Sequence, residues 1–303
     1  MVKQKKGLIA AAIIVVLVVA DIFGPIRVTQ VSIRLAAEPV FRAGGFTVTN
    51  TLLSSWLATA LLLLLALLVS RRLVDAPQAT SLQNIVEAAF ETLYNFMQSM
   101  VGPKARSFFP VVATFFLFIL TSDWLGLLPG FGSVGVWTEY EGRRTLVPLL
   151  RGATTDLNTT LALAMCSVLS MQVYGARYLG ILEYGSRFVA VSKFVAFFRA
   201  LLGGKRADIS LLFAGFLDVF IGILEILDEL TKVLSFSFRL FGNMFGGEVL
   251  LIIMAFLVPY VASLPFLLLE LFIGFIQAFI FAVLTTAFLG RATTRHGYEQ
   301  TTQ

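Results

Sequence analysis

Charged residues are scarce in this chain of 303 residues. Asp, Glu, Lys and Arg make up 14% of it, hydrophobic residues make up 58%, and the mean hydropathy is +0.88. Soluble domains carry roughly a quarter charged residues, so the shortage of charge excludes an ordinary soluble domain. Several apolar runs of about 20 residues instead predict an all-α, polytopic membrane protein built as one bundle.

Cysteine and histidine are almost absent. The single cysteine, Cys166, cannot form an intrachain disulfide, and the single histidine, His296, lies in a polar tail. No His or Cys cluster has metal-ligand spacing, and no hydrolase motif is present. The GGK run at 203–205 is not a phosphate-binding loop, because Arg199 replaces the first Gly of that motif and Arg206 replaces its Ser or Thr. The sequence therefore predicts no cofactor, no metal site and no catalytic centre.

The basic residues indicate topology. A net charge of +5 could suggest nucleic-acid binding, but these residues lie at the ends of apolar runs, where they orient a chain in the bilayer. Arg71 and Arg72, the cluster at 177–208, and Arg291 with Arg295 all mark the inside. The pattern predicts about six crossings with both termini in the cytoplasm. These crossings are 7–23, 51–70, 108–128, 157–176, 209–257 and 264–289.

The first apolar run, 7–23, is compatible with a retained span or with a signal peptide, and the lack of a clear cleavage site favours a retained span. We assign residues 1–50 to an N-terminal apolar segment with an external loop, and 51–303 to the membrane-embedded domain. The Gly-rich segment 129–155 is a second predicted outer loop. Asp123 lies near the outer end of the crossing before it and could simply sit at the headgroup level.

Two connections are predicted to lie on the membrane surface instead of crossing it. Segment 81–100 has apolar residues at helical spacing, with Glu87 and Glu91 on its polar side. Pro103 ends this helical pattern. The basic connection 177–208 contains FVAVSKFVAFF, an aromatic run typical of a helix that rests on anionic lipid.

The last two crossings form a helical hairpin, with Pro259 and Pro265 bracketing its turn. A helix of roughly 48 residues is about 70 Å long, more than twice the hydrocarbon thickness of a bilayer. The first arm, 209–257, must therefore be strongly tilted, bent or broken.

Arg239 lies inside this apolar first arm, where an unpaired cation costs at least about 3 kcal/mol at the bilayer centre. A snorkelling or salt-bridged structural arginine would explain it equally well in isolation. However, helical spacing puts four more polar residues within about 40° of Arg239. In so apolar a chain, such a stripe indicates a water-filled path or a polar contact. Its other members are Glu225, Asp228, Lys232 and Asn243.

Glu248 does not belong to this stripe. It follows Arg239 by nine residues, about 180° around a regular helix, unless Gly246 and Gly247 distort the backbone. Gly242 and Gly246 also form a small-x-x-x-small step that would let another helix approach closely.

Folding the hairpin near residue 259 predicts contacts between its arms, because antiparallel arms of equal rise pair residues whose numbers sum to about 518. Glu248 then faces Glu270, and Arg239 lies near the depth of Gln277. We therefore predict two carboxylates on the outer side and the pair Glu225 and Asp228 on the inner side.

The hairpin resembles a known family. The run FRLFGNMFGGE, preceded by EILDELTK and followed by LLLELFIGFIQAFIF, is similar to subunit a of rotary (F-type) proton-translocating ATP synthases. The resemblance includes DWLGLLP at 123–129 and TTDLNTTLALA at 154–164, and it covers about residues 50–295. It implies a non-catalytic stator subunit that carries protons through two offset half-channels, to and from carboxylates of a rotating c-ring, so coupling the proton gradient to ATP synthesis. The partners so implied are the c-ring proteolipids, the peripheral-stalk b subunits, the rest of the complex and the lipid bilayer, without nucleic acid.

The resemblance also implies residue roles. The essential arginine of the family aligns with Arg239, whose guanidinium keeps its proton, can hold a ring carboxylate ionised, and blocks a short circuit between the half-channels. The positions implied for the half-channel open to the outside, here called the outer group, are Asn243, Glu248, Glu270 and Gln277. Those expected along the path to the inside, the inner group, are Glu225, Asp228 and Lys232. A bacterial plasma membrane is expected, since the chain starts without an Arg- and Ser-rich transit region.

One departure concerns Glu248 and Glu270. Members of the family often carry a histidine and a glutamate at these two positions, whereas this chain carries two carboxylates. Two neighbouring carboxyl groups bind and release protons as a coupled pair. We hypothesise that they share a proton and relay it inward.

Two other classes remain as alternatives. A secondary transporter or ion channel with its own substrate site would usually show two related halves, and the sequence has no internal repeat. A purely structural subunit would use its charges in buried ion pairs, so that Arg239→Ala would weaken assembly without selectively stopping coupled proton flow.

Overall fold

The computed structural model describes residues 35–43, 45–71, 82–128, 135–140, 143–188, 209–257 and 263–294. Within them, five helical stretches are long and apolar enough to cross a membrane, judged by length and composition. They are Asn50–Ser70, Gln83–Gly126, Leu157–Leu179, Phe213–Leu257 and Leu264–Ala292. The polytopic all-α class is thereby confirmed. The sixth predicted crossing, 7–23, lies outside the described residues.

Helices make up most of the described chain. In chain order they are α1 (Asn50–Ser70), α2 (Leu82–Val101), α3 (Ala105–Gly126), α4 (Leu157–Leu179), α5 (Ile181–Gly185), α6 (Ile209–Leu257) and α7 (Ser263–Ala292). Two short 3-10 turns occur at Gly102–Lys104 and Ala153–Thr155. The 3-10 turn between α2 and α3 begins at Gly102. The positive φ of Gly102, 61°, ends α2, and Pro103 follows directly. The surface position of α2, the interfacial helix in 177–208 and the division of the chain at residue 50 stay predictions.

Two β-hairpins stand where the sequence predicted only outer loops. Strand β1 (Pro39–Ala43) pairs antiparallel with β2 (Phe46–Thr49), and β3 (Gly135–Tyr140) pairs with β4 (Arg143–Pro148). These strands are rich in β-branched and aromatic residues, which favour extended pairing. Each is only four to six residues long, too short for its alternation to stand out from the flanking glycines and prolines.

Helix α6 is continuous over its 49 residues. Neither Gly246 nor Gly247 has a positive φ, so the helix passes through both without a break. This excludes the broken arm considered from the sequence. At 1.5 Å per residue, α6 is still about 73 Å long, and a tilt or a bend remains necessary for it to fit a bilayer.

The chain separates into two compact units. One contains Met1–Pro77, Phe115–Thr160 and Phe238–Ile280, and the other contains Gln78–Thr114, Leu161–Ser237 and Phe281–Gln303. Buried apolar side chains in the first unit include Ala58, Phe115, Ile119, Leu240, Met244 and Ala278. Those in the second unit include Met97, Phe108, Val112, Met171, Phe236, Phe281 and Leu289. By residue number, the outer group and Arg239 belong to the first unit and the inner group belongs to the second.

Candidate functional site

Arg239 lies on α6 and is partly exposed. Its guanidinium has no hydrogen bond or ion pair with any residue that the structure describes. On the same side of α6, a β-carbon added at Gly242 or Gly246 would meet nothing within 4 Å. The salt-bridged structural arginine considered from the sequence therefore finds no partner in the described part of the chain.

Asn243 and Gln277 join the two arms of the hairpin. The Asn243 Nδ2 donates to Gln277 Oε1 at 2.5 Å, and the Gln277 side chain is only 2% exposed. Their residue numbers sum to nearly the predicted 518, so this contact agrees with the predicted depth pairing of the arms.

Glu270 packs against the backbone of α6. It is 2% exposed, and a β-carbon at Gly247 would overlap its carboxylate. The Glu270 Oε1 has no hydrogen-bond partner among the described residues. Asn243 and Gly247 are one turn apart on α6, and Glu270 and Gln277 are two turns apart on α7, so the two contacts join one face of each helix.

Glu248 is bound by Arg151. The Arg151 Nε donates to the two carboxylate oxygens at 2.9 and 3.1 Å, and Nη2 donates to Glu248 Oε2 at 2.7 Å. It is Gly247, one residue earlier, that lies against Glu270, since each residue turns a helix by about 100°. No hydrogen bond between the two carboxyl groups is found in the described structure, and their sharing of a proton stays a hypothesis.

Sequence reasoning missed Arg151, which it assigned only to an external loop. The segment before α4 is fixed by hydrogen bonds from residues of the TTDLN motif and from α1. Thr51 Oγ1 donates to Asp156 Oδ2 at 3.1 Å, and Asp156 Oδ1 accepts from the backbone of Asn158 at 3.1 Å, as a helix-capping side chain does. The adjacent polar motif was the one local signal that this loop is ordered.

Asp123 is completely buried within the protein, and its position at the headgroup level stays a prediction. The Thr154 hydroxyl donates to Asp123 Oδ1, and a β-carbon at Gly274 would come within 3.1 Å of the Asp123 β-carbon. A hydroxyl donor and a glycine that leaves room allow this carboxyl group to be buried. Gly274 also places Asp123 one helical turn along α7 from Glu270.

The inner group forms ion pairs in the second unit. Glu225 Oε1 accepts from Arg187 Nη2 at 3.0 Å. Lys232 Nζ lies 2.9 Å from Asp228 Oδ2 and 2.7 Å from Glu229 Oε1. A small cavity, large enough for about one water molecule, lies beside Arg187, Glu225, Glu229 and Lys232. Its lining is Met171, Arg187, Glu225, Glu229, Lys232, Phe288, Arg291 and Ala292. The sequence analysis missed Arg187 and Glu229, although Glu229 and Lys232 stand at the helical i, i+3 spacing.

Tyr184 positions Arg187. Its hydroxyl donates to Gln172 Oε1 at 2.6 Å, its ring covers Gly175, and the Arg187 guanidinium carbon lies 5.5 Å from the ring centre. Burial, followed by the negative charge of Glu229, raises the pKa of Tyr184 above its ordinary value. The phenol therefore stays protonated and keeps its hydrogen bond, which holds α5 against α4.

Replacing Lys232 by Met should destabilise the second unit. Lys232 is 12% exposed and Glu229 17%, so the substitution leaves a mostly buried carboxylate without its cation, at a cost of about 2 kcal/mol. We expect the detergent-solubilised chain to aggregate at a lower temperature than the unmodified chain. The double variant Lys232→Met, Glu229→Gln should recover most of the difference. Equal heat stability of the single variant and the unmodified chain would contradict this prediction.

The fold and the site together define a class: a polytopic membrane protein with polar and ionisable side chains arranged along a long helical hairpin, as in ion-translocating subunits. The family described as "ATP synthase A chain" matches residues 52–290, and the chain belongs to this family. Membership confirms the resemblance given above and makes the chain a proton-translocating component of the ATP synthase complex. It also decides against the secondary transporter as the protein class.

Three bacterial relatives illustrate the match. The chain is 29% identical to "ATP synthase subunit a" of Moorella thermoacetica over 259 residues, which cover 86% of this chain and 96% of the relative. It is 33% identical to "ATP synthase subunit a 1" of Syntrophotalea carbinolica over 82% of this chain and 86% of the relative. Identity to "ATP synthase subunit a" of Syntrophobacter fumaroxidans is 32% over the same two shares.

Proposed function

We propose that this chain is the non-catalytic stator that carries protons through two offset half-channels, to and from carboxylates of a rotating c-ring. We further propose that it lies in a bacterial plasma membrane with both termini in the cytoplasm. The observation that carries this proposal is that Arg239 has no partner among the described residues. Lys232 and Glu248 on the same helix both have ion-pair partners, whereas Arg239 has none in the described part of the chain. Because an unpaired cation in an apolar span is costly, we assign its partner to another chain, as a carboxylate of the ring.

The surroundings of Arg239 support a close approach of such a ring. Ser235, Gly242 and Gly246 lie within about 60° of Arg239 around α6, and all three are exposed. Small side chains let the backbones of two membrane helices come near each other. A ring helix could therefore pack on this side of α6 and bring its carboxylate to the guanidinium. Stator function also implies a contact with the peripheral-stalk b subunits.

The remaining polar residues supply the two proposed paths. Along α6 the inner group precedes Arg239, and Asn243 and Glu248 of the outer group follow it. Protons would pass from the outside through the outer group to the ring carboxylate, and leave towards the inside along the inner group. The protonated Arg239 between the two groups repels a proton that would cross directly.

Purification of the tagged complex is the direct test. The chain is extracted in mild detergent and reconstituted in vesicles, and acidification of the vesicle interior is followed after ATP addition. We expect a proteolipid ring to co-purify and ATP to drive acidification. A chain that purifies without a ring, or a complex that hydrolyses ATP without moving protons, would overturn the proposal.

Glu270→Gln should slow coupled proton flow. The amide keeps the shape of the side chain beside Gly247 but cannot release a proton, so the outer path loses an exchangeable group. We expect ATP-driven acidification at least tenfold slower, equivalent to about 1.4 kcal/mol. Glu183→Gln, at an exposed position on α5, is the matched control and should pump like the unmodified protein. A Glu270→Gln complex with the control's rate would argue against Glu270 as part of the path.

A further inference from the structure

Arg151 connects three parts of the first unit. Its backbone N–H donates to Ser54 Oγ on α1 at 3.1 Å, and its Nη1 donates to the Ala36 carbonyl at 3.3 Å. Its Nε and Nη2 bind the Glu248 carboxylate on α6, and its guanidinium carbon lies 5.9 Å from the centre of the Phe245 ring. With only 8% of its side chain exposed, Arg151 is a buried anchor.

The contact with Glu248 has a defined geometry. Two guanidinium nitrogens bind both oxygens of one carboxylate, an arrangement that restrains direction as well as distance. A lysine could supply the charge but not this planar fork. The position of Glu248 is thus set by the segment before α4, which α1 holds in turn.

We propose that Arg151 is a positioning residue of the outer proton path, acting through Glu248. Successive residues of a helix are separated by about 100°, so holding Glu248 towards Arg151 also fixes the side of α6 on which Gly247 lies. Gly247 then receives the Glu270 carboxylate, and Asn243, one turn earlier, meets Gln277. Arg151 therefore keeps Glu248 in the outer path as a fixed counter-ion, in place of the proton sharing hypothesised from the sequence, and Glu270 remains as the outer carboxyl group that exchanges the proton. This inference rests on the proposed function.

The test measures proton-driven ATP synthesis in vesicles containing the whole complex, as a function of the proton concentration on the outer-path side. Five proteins are compared: the unmodified complex, Arg151→Gln, Arg151→Lys, Glu248→Gln and the double variant Arg151→Gln, Glu248→Gln. A misplaced outer carboxyl group captures protons poorly, and a higher proton concentration compensates for this. For Arg151→Gln we expect at least a tenfold higher proton concentration at half-maximal rate, and a maximal rate within about twofold of the unmodified complex. Arg151→Lys should show a smaller shift.

The double variant separates action through Glu248 from an independent role. In Arg151→Gln the Glu248 carboxylate is left without its cation, so removing that carboxylate as well should bring the half-maximal proton concentration part of the way back to that of the unmodified complex. If the two residues acted independently, the fold-changes of the two single variants would instead multiply. An unchanged proton concentration at half-maximal rate in Arg151→Gln, with or without a lower maximal rate, overturns the inference. A double variant that needs a higher proton concentration than either single variant also overturns it. If Arg151→Gln fails to assemble, Arg151→Lys decides by the same criterion. A failure of the proposed function is distinct, because the unmodified complex would then make no ATP from a proton gradient.

Discussion

Arg239→Ala is expected to reduce ATP-driven proton pumping to background while the complex still assembles. In our proposal the guanidinium is the only group that keeps a ring carboxylate ionised between the two paths, and alanine offers no charge in its place. Arg239 has no partner among the described residues, so its removal leaves none of their buried carboxylates without a cation. Acidification of reconstituted vesicles measures pumping, and co-purification of the ring measures assembly.

The structural alternative predicts the reverse for Arg239→Ala: poor assembly, with pumping reduced in proportion to the complex recovered. Arg177→Ala is a matched control, because Arg177 is an exposed arginine near the end of α4. It should pump at the rate of the unmodified protein. We also expect Arg239→Ala to leak protons down an imposed gradient, since nothing then separates the two paths, and decay of that gradient without ATP measures the leak.

Gly247→Ala is expected to impair proton flow strongly, although it adds a single methyl group. That methyl would overlap the buried Glu270 carboxylate, so Glu270 or the whole of α7 must shift. Overpacking of a tight contact costs about 1 to 3 kcal/mol, and here it also displaces a proposed proton carrier. We expect ATP-driven acidification at least tenfold slower, a change of about 1.4 kcal/mol.

Two further variants test the cause of this effect. Glu270→Asp withdraws the carboxylate by about one carbon–carbon bond, so the double variant Gly247→Ala, Glu270→Asp should pump faster than Gly247→Ala alone. Gly274→Ala makes a milder contact, 3.1 Å from the Asp123 β-carbon, and should have a smaller effect. If Gly247→Ala pumps normally, the close approach of Glu270 to α6 has no functional role.

Much of the hairpin could be predicted from the sequence. Helical periodicity and apolar length predicted a helix over about 209–257, where the structure describes α6, and nearly the bounds of α7. Depth pairing about residue 259 predicted Gln277 near the depth of Arg239, and the structure pairs it with Asn243, about one helical turn further along α6. Which neighbouring residue would face the other arm was less predictable, and Gly247 took the place expected for Glu248 beside Glu270.

Partners distant in the sequence could not be predicted. Arg151 and Glu248 are 97 residues apart, and no periodic pattern links a loop to a helix face across that separation. The same holds for Asp123, whose burial depends on Thr154 and Gly274 from two other segments. Arg187 and Glu225, 38 residues apart, met for a similar reason, through the packing of α5 on α4.

The sequence by itself determined the membrane class, the long hairpin and the stripe that contains Arg239, because these follow from composition and from the 3.6-residue period of a helix. Only the tertiary structure decided which charges are paired. It bound Glu248 to Arg151, gave Lys232 to Asp228 and Glu229, and left Arg239 without a partner among the described residues. The physical reason is that a helix fixes the direction of a side chain relative to its own axis, whereas an ion pair depends on which other segment packs against that face.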